Sequence, residues 1–302
     1  MRIVAARALL QPAARLSIRP MMSMTAVSAM PSWLAVPACA TMRDAAATAV
    51  CSGIVALCAQ LVLVQLFKRS DDSVLRRSAG YTAHHIIALA FMVVATVVGF
   101  AGWFSPSAAT ATATARMLVP NGTARWLSAV ILGELVIWDF PCSLFIKKLQ
   151  EPVMLAHHVG LLATTYLVAL LPSFYATFYL GWTELSNIPL QLWDGFGHAH
   201  DVADDASYPA SRRRLFAAIR DASYSVFSGL FLIVRVFAFT AITAGGLFPD
   251  VLALLARPTA AAAAARLPLV GFLGLGAAFN ALMLYWFGGA VWSMLKPDTA
   301  GE

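Results

Sequence analysis

Charge is what this chain has least of. Only 12% of its 302 residues are Asp, Glu, Lys or Arg against 60% hydrophobic, and the mean hydropathy is +0.75. Soluble domains carry about 25% charged residues, so that class is excluded and a polytopic membrane protein is indicated. Cysteine is scarce as well: Cys39, Cys51, Cys58 and Cys142, with no CxxC pair. That pattern holds no redox or metal-knuckle motif, and Cys51 and Cys58, seven apart in an apolar run, read as small core residues on one helix face. A net charge of +6 could suggest nucleic acid. The basic residues are dispersed over short loops instead of forming a stripe, so nucleic acid is excluded as a partner.

Acids are missing altogether before Asp44, while Arg2, Arg7, Arg15, Arg19 and Arg43 stand among Ser, Ala and Met. Residues 1–43 therefore read as a disordered basic leader, with a mitochondrial presequence as the alternative. No secretory n-region, apolar core and cleavage site follow in order, so the first span is expected to do the targeting.

Apolar runs of about 20 residues, enough to cross ~30 Å of hydrocarbon, fall at 45–67, 82–104, 126–146, 152–172, 173–193, 223–245 and 267–295. The pattern predicts an all-α bundle of about seven transmembrane helices, the fourth and fifth turning over at Pro172. Residues 105–116 and the alanine tract 259–266 read as linkers. Lys68, Arg69, Arg76, Arg77, Lys147, Lys148, Arg212, Arg213, Arg214, Arg220 and Lys296 fall on one side of these spans; Arg43, Arg116, Arg125, Arg257 and Arg266 fall on the other. The richer side is expected to be cytoplasmic, which puts the N-terminus in the lumen and the C-terminus in the cytosol. A glycosylation sequon at Asn121 is then lumenal. Trp33, Trp103, Trp126 and Trp193 near span ends read as interfacial belt residues.

Ionisable groups at membrane depth are costly and survive facing a protein interior or a wet cavity. Counting ~1.5 Å per residue from the cytoplasmic ends, His84 and His85 sit at the interface, Asp139, His157 and His158 at roughly 10 Å, Glu184 at roughly 14 Å, and Glu134 and Arg235 at roughly 18 Å. Their concentration in one leaflet argues for a single polar chamber open to the cytosol. Arg235 requires a carboxylate, with Glu134 the best match in depth and Glu184 the second. Asp139, two residues before Pro141, either fastens a kink or orients a histidine. His157 and His158 are ~100° apart on a helix; they flank a cavity instead of pointing into it together, and they lack the i, i+4 spacing that converges on a metal. With a carboxylate beside it, either histidine is suited to general acid/base work. Basic residues 211–220 read as a solvated loop, or as an interfacial helix on anionic lipid.

Five stretches in order, RRSAGYTAHHIIA (76–88), LVIWDF (135–140), MLAHHVG (154–160), TELSNIPLQLWD (183–194) and FLIVRVF (231–237), resemble the TLC-domain family of eukaryotic membrane proteins. The paired histidine followed by E-L-S-x-x-P is similar to the branch of small TLC-domain proteins. The resemblance implies a six-helix barrel over residues 68–295 with the first span, 44–67, accessory, residence in the endoplasmic reticulum, and a role in membrane lipid homeostasis. Ceramide synthases of that family share a paired histidine, matched by His157 and His158. Their H-D-x-x-D motif is not matched, since T-E-L-S-N offers one carboxylate, Glu184.

Two functions follow as expectations. One is a lipid-binding protein whose chamber is lined by His85, Glu134, Asn187 and Arg235. The other is an acyltransferase with fatty acyl-CoA as co-substrate, in which His157 or His158 is base or nucleophile and Glu184 and Asp139 orient it. Neither calls for a metal or cofactor.

Overall fold

The computed structural model describes residues 37–105, 112–150, 152–203, 208–256 and 259–295, and every side chain among them except those of 153 and 290–295. Trp33, Glu151, Arg257, Lys296, the leader before residue 37 and the tail 296–302 lie outside the described residues. All regular structure among them is helical. Five stretches are long and apolar enough to cross a membrane: Met42–Lys68, Ala79–Trp103, Ala113–Phe145, Ala210–Ala256 and Arg266–Gly289, with a shorter apolar helix at Met154–Leu170. Their outward faces are greasy. Val55, Leu61 and Val62 on the first of them are more than half exposed, and patches of that kind on a water-soluble surface would drive association.

The elements follow from local chemistry. α1 (Met42–Lys68) starts on a capping box in which Thr41 accepts from Asp44 N and Asp44 accepts from Thr41 N. α2 (Ser73–Arg77) is capped by Asp72, and α3 (Ala79–Trp103) follows directly. α4 (Ala113–Leu118) ends at extended Val119, and Asn121 caps α5 (Gly122–Gly133) by accepting from Ala124 N. The Asn121 carboxamide of the sequon is thus engaged in helix capping. α5 continues through a π-helical turn, Glu134–Asp139, into α6 (Phe140–Phe145). A 3-10 turn, Lys147–Leu149, leads to α7 (Pro152–Leu170).

The run expected to span at 173–193 is not one helix. It is divided into α8 (Ala176–Tyr179), a 3-10 turn (Trp182–Ser186) and α9 (Asn187–Val202). Gly181 explains the break: a Cβ there would meet Gly99 Cα at 2.3 Å, so α3 and this segment touch backbone to backbone. α10 (Ala210–Leu230) runs without interruption through a π segment (Phe231–Ala238), α11 (Phe239–Ile242), a second π turn (Thr243–Leu247) and α12 (Phe248–Ala256). At 1.5 Å per residue this continuous helix is about 70 Å long. It exceeds any hydrocarbon core, and the basic stretch 211–220, expected to be a solvated loop or an interfacial helix, is its helical first part. The alanine tract is likewise helical, α13 (Ala260–Ala264) capped by Thr259, and α14 (Arg266–Leu295) closes the bundle.

Contacts sort the loops into two ends. At one, Asp72 accepts from Tyr208 Oη at 3.0 Å and Arg212 at 2.9 Å, and Lys148 meets His198. At the other, Asn121 N donates to Pro172 O, Phe174 N to Arg116 O, and Arg116 holds Asp250 through two 2.6 Å hydrogen bonds. The basic loops grouped by the sequence therefore share an end. The main apolar core lies towards the other, around Met117, Leu127, Val168, Leu180, Val251 and Leu269. Of the cysteines, Cys39 and Cys142 are buried, but Cys51 and Cys58 face outward on α1, contrary to a core role. Trp103 stacks on Phe174 at 4.4 Å and Trp193 on Phe227.

α1 lies against α5 where Gly53 and Gly133 meet. A Cβ on Gly133 would be 1.9 Å from Ala49 O, and one on Gly53 2.4 Å from Gly133 O. Gly133→Ala should therefore destabilise the protein by on the order of 1–3 kcal/mol through overpacking. Gly274→Ala, into open space, should be neutral or stabilising because alanine favours helix by about 1 kcal/mol. Thermal unfolding of the two variants in detergent checks this, and equal midpoints would refute the close packing.

Burial pushes the Asp72 carboxyl up, but the Leu75 amide, Tyr208, the Val74 amide and the Arg212 charge more than offset it and hold it below the ordinary value. A depressed carboxylate stabilises the fold fully above the unfolded pKa, about 4, and the contribution fades as pH falls through the folded value. Amide protection in α2, taken relative to the intrinsic exchange rate at each pH, should fall with acidification in the wild type and show no such acid-dependent step in Asp72→Asn.

Candidate functional site

The bundle encloses a cavity of about 990 Å³. It lies within the range typical of ligand pockets, roughly 300–1,000 Å³. Every one of His85, Glu134, Asp139, His157, His158, Glu184, Asn187 and Arg235 lines it, from α3, the first π turn, α7, the 3-10 turn with the start of α9, and the long helix. His84 lines it too. One end is apolar, bounded by Val168, Leu180, Leu247 and Phe272; the other reaches Tyr81, Lys148, Gln191 and Asp194.

Helical winding decides which carboxylates arrive. In an α-helix Glu134 and Asp139, five residues apart, would be separated by about 140°. The wider i→i+5 turn that holds them carries both onto the cavity face. Pro141, just beyond, has no N–H to offer the preceding turn, which favours a departure from α geometry there. Asp139 is 7% exposed and stands between two histidines. Its Oδ2 is 3.0 Å from His158 Nδ1, with the ring turned off the hydrogen-bonding direction, and its Oδ1 is 3.5 Å from His84 Nε2. Of the two roles open to Asp139, the geometry is that of a carboxylate beside histidines.

His84 and His85 are not interfacial, contrary to expectation: they are 6% and 8% exposed. α3 begins three residues earlier than the apolar run, and α2 with the end of α9 covers that end of the bundle. His84 stacks on Trp138 at 4.7 Å. Trp138 Nε1 donates to Gln60 Oε1, and Gln60 Nε2 donates to Gly80 O. α1 thereby braces the wall that carries Asp139.

His157 and His158 diverge. His158 turns to Asp139 and Phe140, while His157 packs between Phe279 and Trp286 of α14, ring centroids 5.8 Å from each.

Arg235 is answered by Glu184, not by Glu134. Its Nη2 lies 3.5 Å from Glu184 Oε1 and its Nε donates to Ser186 Oγ at 3.1 Å, while Asn187 Nδ2 donates to Glu184 Oε2 at 2.7 Å. The 3-10 turn explains the exchange, since its tight winding presents Glu184, Ser186 and Asn187 together. Depth along the chain favoured Glu134 because it assumed one regular helix through 173–193. Among the described residues Glu134 makes no hydrogen bond or ion pair. Ser186, Gln191, Lys148 and Tyr81 were not singled out by sequence; Ser186 and Gln191 lie inside TELSNIPLQLWD, where that motif was the available signal.

The described residues offer no group of three or more His, Cys, Asp or Glu able to hold a metal. What they do offer is an imidazole beside a carboxylate and a buried guanidinium–carboxylate pair facing one space. That combination can position a polar headgroup or move a proton. Compared with known proteins, the chain matches no family model, no curated protein and no solved structure.

The Arg235–Glu184 pair is separable by a double-mutant cycle. Arg235→Met or Glu184→Gln alone should cost about 3–5 kcal/mol by leaving one buried charge unanswered. The double variant should recover most of that. Strictly additive losses in unfolding experiments would show that the two are not coupled.

Proposed function

We propose that this is a multi-pass membrane protein of the TLC-domain type acting in membrane lipid homeostasis, which binds a lipid in an intramembrane chamber facing the cytoplasm. The observation that supports it is the cavity itself: apolar at one end, with ionisable and amide side chains from five separate helical segments gathered along its wall. An amphiphile has that distribution of chemistry. The ordered stretches that resemble the family lie on those same segments, and the reading carries with it residence in the endoplasmic reticulum, a mitochondrial membrane being the alternative.

One observation favours a second reading, an acyl-CoA-dependent acyltransferase. Asp139 lies 3.0 Å from His158 Nδ1, so that a turn of the imidazole ring would bring the two into the base-and-orienter arrangement that suits acyl transfer. In that reaction His158 would take the proton of an acceptor hydroxyl or amine as its oxygen or nitrogen attacks the thioester carbonyl. The proton then leaves with the CoA thiolate, and the acyl group stays on the acceptor.

The test is made on protein in nanodiscs. Mass spectrometry of extracted lipid should find a species retained by the wild type and lost in Leu275→Trp, which fills the apolar part of the cavity. No retained lipid above an empty-disc control would refute the chamber. Labelled long-chain acyl-CoA with sphingoid bases, lysophospholipids and amines decides the second reading: transfer by the wild type, lost in a folded His157→Ala/His158→Ala variant, would establish the enzyme.

A further inference from the structure

The cavity has a second polar station, around His85, to which neither reading gives a ligand group. Next to His84 on α3, His85 turns away from Asp139, and its Nδ1 lies 2.5 Å from Gln191 Oε1 on α9. With that acceptor opposite, the imidazole proton sits on Nδ1 and Nε2 is left as a lone-pair acceptor. Nε2 is buried and has no hydrogen-bond partner among the described residues. A buried polar atom of this kind calls for a ligand or water that brings a proton.

The surroundings indicate what else that ligand carries. Tyr81 packs edge-on against His85 at 4.3 Å and His198 at 4.5 Å, which stiffens this end of the cavity. Lys148 stands 5.4 Å from the Tyr81 ring centre, its Nζ 3.1 Å from His198 Nδ1. Tyr81, His85, Lys148 and Gln191 all line the cavity. Lys148 is half exposed and its contact with Asp201 is 3.8 Å, so its charge is available to a better-placed anion. A phosphate monoester in its monoanionic form carries both complements, an anionic oxygen for Lys148 and an O–H for the His85 Nε2 acceptor.

We infer that this end is a headgroup subsite for a lipid phosphate monoester, in which a P–O⁻ oxygen accepts from Lys148 Nζ and the P–OH donates to His85 Nε2. The inference rests on reading the cavity as a lipid chamber. Asp139, His158 and the apolar end line the same cavity, so the rest of the amphiphile shares one space with them.

The experiment titrates the protein in phosphatidylcholine nanodiscs with 1-oleoylglycerol 3-phosphate, 1-oleoylglycerol and inorganic phosphate, read by native mass spectrometry. The wild type should bind the phosphorylated lipid about tenfold or more tightly than its neutral counterpart, as charge-assisted hydrogen bonds imply. Lys148→Met should bring the two to near parity with binding of 1-oleoylglycerol unchanged, and His85→Phe should likewise remove the preference for the phosphorylated lipid. Lys148, being half exposed, keeps the test valid if the His85 variant does not fold. Equal wild-type binding of the two lipids, or a preference that survives Lys148→Met, would overturn the subsite and leave the chamber intact. Binding of neither lipid would overturn both. Inorganic phosphate bound as tightly as the phospholipid would assign the subsite to free phosphate and remove the lipid.

Discussion

A charge inside an apolar bundle must be met by an opposite charge, by hydrogen bonds or by water, and this structure is arranged around that demand. Arg235 is 7% exposed in the middle of a helix more than 40 residues long. Its answer comes from Glu184 and Ser186, on a segment that would serve no such purpose as a regular helix. Asp139 is met by imidazoles from α3 and α7. Arg235 and Asp139 therefore tie together elements distant in the chain, and the cavity lies among those ties.

Meeting the demand costs helical regularity. Uninterrupted α-helix is the simplest way to satisfy backbone groups in lipid, yet the chain departs from it where four of the cavity's ionisable groups are presented: a π turn for Glu134 and Asp139, a π segment for Arg235, a 3-10 turn for Glu184. Departures of this sort are uncommon and cluster at functional sites. They are tolerated here because the freed backbone is buried in protein. At Gly99 and Gly181, and again at Gly53 and Gly133, bare backbones meet and no side chain fits between them.

Much of this was legible in the sequence, and the limits of legibility have physical causes. Composition gave the helical class, and the long apolar runs marked five of the helices, because hydrophobic length is a property of local sequence. The polar residues named as candidates share one cavity, since an ionisable group in an apolar run has few other places to go. Depth counting failed where it assumed regular winding. It placed His84 and His85 at an interface that α2 and α9 cover, and it paired Arg235 with Glu134, because a broken segment at 173–193 cannot be read from hydropathy. The contribution of Gln60 through Trp138 was invisible for a different reason: a glutamine in an apolar helix announces itself, but its partner is chosen by packing.

The resulting wall is asymmetric in a way that bears on function. On α3 two adjacent histidines serve two different partners, Asp139 and Gln191; on α7 two adjacent histidines serve Asp139 and the aromatic rings of α14. Neighbours on a helix diverge by ~100°, so each pair addresses two places at once. Asp139 is where the pairs meet, one histidine from each. If the bundle needed these groups only for its own stability, one carboxylate per histidine, or no histidine at all, would be the less costly solution. Four histidine nitrogens on this wall instead stay buried without hydrogen-bond partners among the described residues, His84 Nδ1, His85 Nε2, His157 Nδ1 and, beside Asp139 but off its hydrogen-bonding direction, His158 Nδ1, and all four side chains line the same cavity. Unanswered acceptors and donors along one wall are an expense that folding alone does not explain, and a polar occupant would answer them.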